Sequence, residues 1–151
     1  MKFKSFLIVL MAAAMVAICS SAAFAQQGGE NKMPEPEELA SKQFKALKSR
    51  MESYKQPLTP AQEFYVDSIL LAHYTGVRSS FEDLHKSGMN SEGIYLKSSE
   101  LWQEKTRAAM QKFLSEQQYI IFLRSIGKGR EYKRGKDGKF YLKSELKGKK
   151  E

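Results

Sequence analysis

The residues that could do chemistry in this chain are few, and their spacing does not favour a site. His73 and His85 are 12 residues apart, which places them about 120° apart around a helix axis, so a straight helix cannot direct both at one ion. His73 also falls on an apolar stripe, where a buried and hydrogen-bonded histidine is the usual outcome. Glu82 and Asp83 are adjacent and point to different sides of a helix. The sequence therefore predicts no metal site.

Catalytic nucleophiles and cofactor loops are equally poorly supported. Cys19 is the only cysteine, and no serine lies in a glycine-flanked nucleophile elbow. The sequence pattern also lacks a glycine-rich phosphate loop that follows a strand. We therefore expect a protein without enzymatic activity and without a cofactor.

Residues 1–25 have the layout of a secretory signal peptide. A basic start precedes an apolar run at 6–18, and small residues occupy the two positions that a signal peptidase recognises. Cleavage after Ala25 is predicted, which places the mature protein in a periplasm or outside the cell. An uncleaved membrane anchor is less favoured, because the run is short for a span of about 20 residues. A lipid anchor on Cys19 is less favoured, because Ile18 precedes the cysteine.

The composition favours an acidic partner. The formal charge is +8, and removal of two lysines with the signal peptide leaves about +6 (8 − 2). Such a charge suits anionic lipid headgroups, lipopolysaccharide or acidic protein surfaces, although a basic surface can also serve solubility alone. Nucleic acid is scarce in an export compartment, so no nucleic-acid partner is expected. Disulfides are not expected either, because Cys19 leaves with the signal peptide.

One helical domain, at 37–126, is predicted between a leader and a basic tail. Residues 26–36 hold two glycines and two prolines, a composition typical of a flexible leader. Apolar residues then recur at helical spacing over 37–54, 60–85, 91–113 and 116–126. The interior face of the third segment is predicted to hold Ile94, Tyr95, Leu101, Trp102, Ala108, Ala109 and Phe113. Residues 127–151 are rich in Lys and Arg and are expected to be mostly disordered, with a turn as an option at 136–138.

The segment at 60–85 is apolar on two sides. A flank that holds Phe64, Leu71 and Tyr74 lies well over 60° from its main stripe. The members of that stripe are Val66, Ile69, Leu70, His73, Val77, Phe81 and Leu84. A helix of this kind usually lies between two neighbours, of which one is its own fold and the other is a dimer partner or a bound client. The candidate client surface joins this flank to four cations: Arg78, Lys42, Lys45 and Lys48. The alternative is that the aromatic residues form ordinary dimer core and that the lysines form a solvated face.

One short motif occurs twice. Leu58-Thr59-Pro60-Ala61-Gln62 precedes the second helix, and Leu114-Ser115-Glu116-Gln117-Gln118 precedes the fourth. A Thr or Ser at the N-cap accepts a hydrogen bond from the third helical amide, and a Gln there returns one to the N-cap amide. Each such capping box stabilises its helix by about 1 kcal/mol.

This pair of motifs resembles the LTxxQ repeats of the Spy/CpxP family of periplasmic proteins. Thr59 and Gln62 match the first repeat, while Ser115 and Gln118 match the second, with Ser keeping the capping chemistry of Thr. The resemblance covers at most residues 57–126. It implies an all-helical fold in which long bent antiparallel hairpins pair into an elongated, cradle-like homodimer. It also implies that the motif residues fix helix entry rather than act on a substrate.

The resemblance implies a function as well. Members of that family act as ATP-independent chaperones for exported proteins, and some damp an envelope-stress sensor kinase. We therefore expect a homodimer that binds unfolded or misfolded exported proteins. The alternatives are a regulatory binding protein for the outer domain of such a sensor, and a helical protein attached to an anionic membrane surface through its basic tail. Some members are linked to metal stress, a role that the two separated histidines do not support.

Overall fold

The computed structural model describes residues 34–89 and 91–147, which form five helices and one two-stranded sheet. The signal peptide, the cleavage site after Ala25 and residues 26–33 of the leader lie outside the described residues. The elements are α1 Pro36–Ser53, α2 Pro60–Lys86, α3 Glu92–Phe113, α4 Glu116–Ser125, β1 Tyr132–Arg134, β2 Phe140–Leu142 and α5 Lys143–Lys147. The predicted all-α class is confirmed, because the described chain is mostly helical. None of the described helices is long and apolar enough to span a membrane.

The long helices form two antiparallel hairpins that share α2. Helix α2 packs against both α1 and α3. In the first hairpin, Glu35 at the start of α1 pairs with Arg78, whereas Lys48 pairs with Glu63 near the start of α2. In the second, the first two turns of α2 lie against the last turn of α3. Helix α4 then returns to contact α1 and α3. The homodimer stays a prediction.

The helices bury two apolar clusters of unequal size. The larger cluster lies where α4 meets the other three helices, and its most deeply buried members are Met51, Val66, Leu70, Met110, Ile121 and Phe122. The smaller cluster lies between α2 and α3 alone and holds Val77, Phe81 and Tyr95. Burial of these side chains is the main source of stability, since each large apolar side chain contributes about 1.5–3 kcal/mol.

The interior face of α3 differs from the predicted one. Leu101 is 51% exposed, and Ala108 and Phe113 are exposed as well. The buried positions are Tyr95, Ser99, Thr106 and Met110. The apolar pattern did not identify Ser99 and Thr106 as interior positions, because both side chains carry hydroxyl groups. Both side chains are small, which allows α3 to lie close to α2.

Helix α2 packs tightly against α3 at Gly76. A Cβ added to Gly76 would lie 2.2 Å from the Trp102 ring, so the indole occupies the space that a side chain would fill. The Trp102 indole nitrogen donates to the Ser80 hydroxyl at 2.9 Å. Trp102 therefore lies inward, as predicted, with its polar atom satisfied.

Most of the basic tail is ordered, which differs from the expectation for residues 127–151. Strands β1 and β2 pair as an antiparallel hairpin, and α5 follows directly. The turn at 136–138 is present, and Gly138 there has a φ of 86°, a conformation that favours glycine. Phe140 is only 3% exposed and belongs to the larger apolar cluster. Buried Phe140, together with half-buried Tyr132, thus packs on the helical core a segment whose composition is otherwise that of a disordered chain. Residues 148–151 lie outside the described part.

Candidate functional site

Both capping boxes form at the starts of α2 and α4. The Thr59 hydroxyl accepts from the Gln62 amide nitrogen at 3.2 Å, and the Gln62 side chain accepts from the Thr59 amide at 3.0 Å. The Ser115 hydroxyl accepts from the Gln118 amide at 3.3 Å, and the Gln118 side chain accepts from the Ser115 amide at 2.9 Å. Two amide donors that a helix start would otherwise leave unpaired are therefore satisfied in each copy.

The two boxes also bond to each other, and we call this arrangement the clasp. The Gln62 Nε2 atom donates to Gln118 Oε1 at 2.9 Å, and Gln118 Nε2 donates to Gln62 Oε1 at 3.2 Å. Each Nε2 also donates to a carbonyl that lies two residues before the other N-cap: Gln62 to Phe113 at 2.9 Å, and Gln118 to Pro57 at 2.8 Å. Each motif therefore makes the same pair of hydrogen bonds to the other, so the arrangement has local two-fold pseudosymmetry.

Every polar atom of the two glutamine side chains is used in the clasp. Each Oε1 accepts two hydrogen bonds and each Nε2 donates two, which is the full capacity of a primary amide donor. This matters because Gln118 is only 5% exposed, and a buried amide without partners is costly. The leucines that open the motifs, Leu58 and Leu114, are buried in the larger apolar cluster below. The clasp thus ties the entry of α2 to the junction between α3 and α4.

An exposed aromatic patch, formed by Phe64, Tyr65 and Phe113, lies beside the clasp. The rings of Tyr65 and Phe113 stack with their centroids 4.2 Å apart, and the ring of Phe64 lies edge-on to Tyr65 at 5.7 Å. Phe64 is 68% exposed, Tyr65 is 42% exposed and Phe113 is 38% exposed. The clasp positions the patch directly, because Gln62 bonds to the carbonyl of Phe113 and lies one turn from Tyr65 along α2.

The structure keeps part of the predicted apolar flank at the surface. Phe64 and Leu71 are exposed, whereas Tyr74 is half-buried and its hydroxyl donates to Gln43 of α1 at 2.6 Å. Tyr74 is therefore part of the α1–α2 contact rather than of an open surface. Tyr65 and Phe113 take its place in the patch, although the sequence pattern assigned Tyr65 to no face and placed Phe113 inside.

The predicted cations are differently engaged. Arg78 binds two carboxylates, those of Glu35 and Glu82, so its charge is locally balanced. Lys48 pairs with Glu63 at 2.8 Å, and this hydrogen bond raises the pKa of Lys48. The other two lysines, Lys42 and Lys45, are exposed along α1.

His73 is buried between α2 and α3. Its Nδ1 atom lies 2.9 Å from the Thr106 hydroxyl, and that hydroxyl donates to the Trp102 carbonyl at 2.8 Å. The hydroxyl proton is thus already used, so His73 Nδ1 carries its own proton and donates it to Thr106. This satisfied neutral histidine agrees with the interior role that the stripe predicts. Among the described residues no three metal-ligating side chains converge.

Acidification is expected to destabilise the protein through His73. Burial penalises the imidazolium and lowers the pKa of His73 in the folded state below about 6.5, the ordinary value of the unfolded chain. The unfolded chain therefore binds the proton more readily. Stability from this group is complete above about pH 6.5 and is lost as the pH falls toward the folded pKa, by at most about 1.4 kcal/mol for each pH unit. Urea midpoints at about pH 7.5 and about pH 5 measure the loss.

Two histidine variants separate this effect from general acid denaturation. The substitution His73→Gln should flatten the pH dependence in this range, whereas His85→Gln, at an exposed position, should retain it. An equal pH dependence in the parent protein and in His73→Gln would show that carboxylates, and not His73, determine the acid response.

No family model, curated protein or solved structure matches the chain. The functional proposal therefore rests on the geometry of the clasp and the aromatic patch.

Proposed function

We propose that the protein is an exported, ATP-independent chaperone-like protein that binds unfolded or stress-exposed envelope proteins at the aromatic patch. The observation that carries this proposal is the exposure of three contiguous aromatic side chains on an otherwise well-packed helical domain. Contiguous exposed apolar surface in a soluble protein is typical of an interaction site. Unfolded chains present apolar side chains in no fixed geometry, and aromatic rings offer them large contact area at low entropic cost.

The clasp supports this function by fixing the backbone that carries the exposed rings of the patch. Phe64 and Tyr65 follow Gln62 in the first turns of α2, and Phe113 ends α3, so hydrogen bonds fix the backbone on both sides of the stacked rings. A patch on a fixed support loses little conformational freedom when a client binds.

Export supports the same proposal. An apolar patch that binds without nucleotide suits a compartment that lacks ATP, and the predicted signal peptide directs the chain to such a compartment. The doubled motif, which resembles that of the Spy/CpxP family, points the same way. A second subunit is the other occupant that the patch could accept, and in a homodimer the exposed rings would lie at or near the interface.

Replacement of Phe64 by serine tests the proposal. We expect the Phe64→Ser variant to require about tenfold more protein to suppress aggregation of an unfolding client, because loss of one exposed aromatic contact removes about 1.5 kcal/mol of binding. Light scattering of the client during thermal or chemical unfolding gives the measurement. The domain should stay folded, since the Phe64 ring is 68% exposed and contributes little to the core.

Leu101→Ser is the matched control, because Leu101 is also exposed but lies on α3 away from the clasp. An equal effect of both substitutions, or none from Phe64→Ser, would contradict binding at the patch. Sedimentation of both variants shows whether the patch serves a dimer instead. Failure of the parent protein to suppress aggregation, combined with saturable binding to the outer domain of one membrane sensor, would replace the chaperone proposal by the regulatory alternative.

A further inference from the structure

A second candidate surface is a cleft between α1 and α4. It differs from the aromatic patch because its lining is mainly polar and positively charged. The cleft is an open depression of about 460 Å³, lined by Ala46, Ser49, Arg50, Ser53, Tyr54 and Arg124. Its Tyr54 wall is supported by the docked β-hairpin, because the ring of Phe140 lies edge-on to Tyr54 at 5.1 Å. We propose that this cleft binds the phosphate group of a phosphorylated ligand.

Arg124 is held in position for such a ligand. Its Nη1 atom donates to the Tyr132 carbonyl at 2.7 Å, and its guanidinium lies 5.1 Å from the centre of the Phe140 ring. These contacts fix the plane of the guanidinium while leaving its other donors for a ligand in the cleft. A guanidinium that is already oriented loses less entropy when it binds an anion, and its fork of donors matches two oxygens of a phosphate.

Arg50 and Arg134 add positive charge around the same tyrosine. Arg50 lines the cleft directly, and the Arg134 guanidinium lies 5.2 Å from the centre of the Tyr54 ring. Among the described residues, no carboxylate forms an ion pair with Arg50, Arg124 or Arg134. Arg78, by contrast, is neutralised by two carboxylates. The charge around the cleft is therefore available to an external anion.

The remaining lining defines the class of ligand. Ser49 is an exposed hydroxyl residue on α1 that can donate to a further phosphate oxygen, whereas the Ser53 hydroxyl already donates to the Arg50 carbonyl at 2.7 Å. The Tyr54 ring provides one flat wall. The volume falls within the usual range of small-molecule sites, about 300–1,000 Å³. A phosphate ester carried on a sugar or glycerol unit fits this chemistry, whether it is a soluble metabolite or a lipid headgroup. Among the described residues that line the cleft, two are arginines and none is acidic, so the local field is positive.

Calorimetric titration of the full mature chain tests the cleft with two probes. One probe is glucose 6-phosphate in a low-salt buffer, and the other is vesicles of phosphatidylglycerol in phosphatidylcholine. We expect saturable binding of at least one probe, weakened by salt, and a loss of about tenfold in affinity in Arg50→Gln and in Arg124→Gln. Binding of the soluble ester identifies a free phosphorylated ligand, and binding of vesicles alone identifies a lipid headgroup.

Arg107→Gln is the charge-matched control, because Arg107 lies on α3 outside the cleft and only 3.9 Å from Glu104. This variant should bind within about twofold of the parent. Arg124→Gln could loosen the β-hairpin, because Arg124 bonds to its backbone. Arg50→Gln avoids this complication, since no described residue hydrogen-bonds the Arg50 side chain. Saturable binding to neither probe, or equal weakening by Arg107→Gln, would overturn the assignment.

Discussion

Gln118→Ala is expected to lower the free energy of unfolding by about 3 kcal/mol. About 1 kcal/mol of this is the lost capping interaction with Ser115. The rest arises because the carbonyl of Pro57 and the side-chain amide of Gln62 lose their partners in a part-buried position, at about 1–3 kcal/mol. Urea unfolding followed by far-ultraviolet circular dichroism measures the change, and the melting temperature should fall by roughly 10 °C.

Gln111→Ala provides the matched control for the clasp. Gln111 lies exposed in the body of α3, and the same substitution there should change stability by less than about 0.5 kcal/mol. Adding Gln62→Ala to Gln118→Ala completes a double-mutant cycle. The double variant should be more stable than the sum of the two losses predicts, by about 1 kcal/mol or more, because each single change already breaks the shared pair. Additive losses would mean that the two glutamines act only as separate helix caps.

The sequence predicts both capping boxes but not the hydrogen bonds that join them in the clasp. A capping box is a local structure, formed by residues three apart, so its spacing alone is enough to identify it. The bonds between Gln62 and Gln118 join residues 56 positions apart, and they depend on how α2 meets the α3–α4 junction. Repetition of the motif with a preceding leucine was the only signal available. The repetition indicates that two helices begin in the same way. It does not indicate that the two N-termini contact each other.

The predicted buried face of α2 is confirmed, including His73, whereas the predicted face of α3 is partly wrong. On α2 the stripe of Val66, Leu70, Val77 and Phe81 is buried as its spacing indicates. On α3 the helix turns Ser99 and Thr106 inward and leaves Leu101 exposed, because close packing of Trp102 against Gly76 sets the rotation of the helix. Such a constraint is a property of two helices together, so periodicity within one helix does not contain it.

The tail illustrates a limit of reasoning from composition. A segment rich in Lys, Arg and Gly has too few apolar residues to fold alone, and residues 127–151 fit that description. The segment folds because it docks on a core that the helices have already built. Phe140 supplies the apolar contact, and the Gln117 side chain satisfies the Phe140 backbone on both sides, accepting from its amide at 2.7 Å and donating to its carbonyl at 3.1 Å. The amino-acid composition of a segment does not identify which of its residues packs against the core.

Phe140→Ala is therefore expected to release the hairpin from the domain. The Phe140 ring is 3% exposed, lies edge-on to Tyr54 and contacts the Arg124 guanidinium. Truncation of such a ring costs about 3 kcal/mol or more, which raises the population of the undocked hairpin by about 100-fold. Trypsin reports this opening well, because eight Lys or Arg residues lie within 128–147 and cleavage requires an opened backbone. Under native conditions the rate of cleavage within this segment should rise by about the same factor.

Tyr141→Ala separates docking from strand formation, because Tyr141 is the neighbouring aromatic residue on the same strand and lies on the face opposite to Phe140. We expect less than a tenfold change in cleavage for this variant, since Tyr141 is half-buried rather than buried and its hydroxyl bonds to exposed Asp137 of the same hairpin. Circular dichroism of Phe140→Ala should show that the helices persist after the hairpin opens. Equal protease resistance of the parent protein and Phe140→Ala would mean that the hairpin does not depend on this ring, and equally rapid cleavage of both would mean that the segment is not docked in solution.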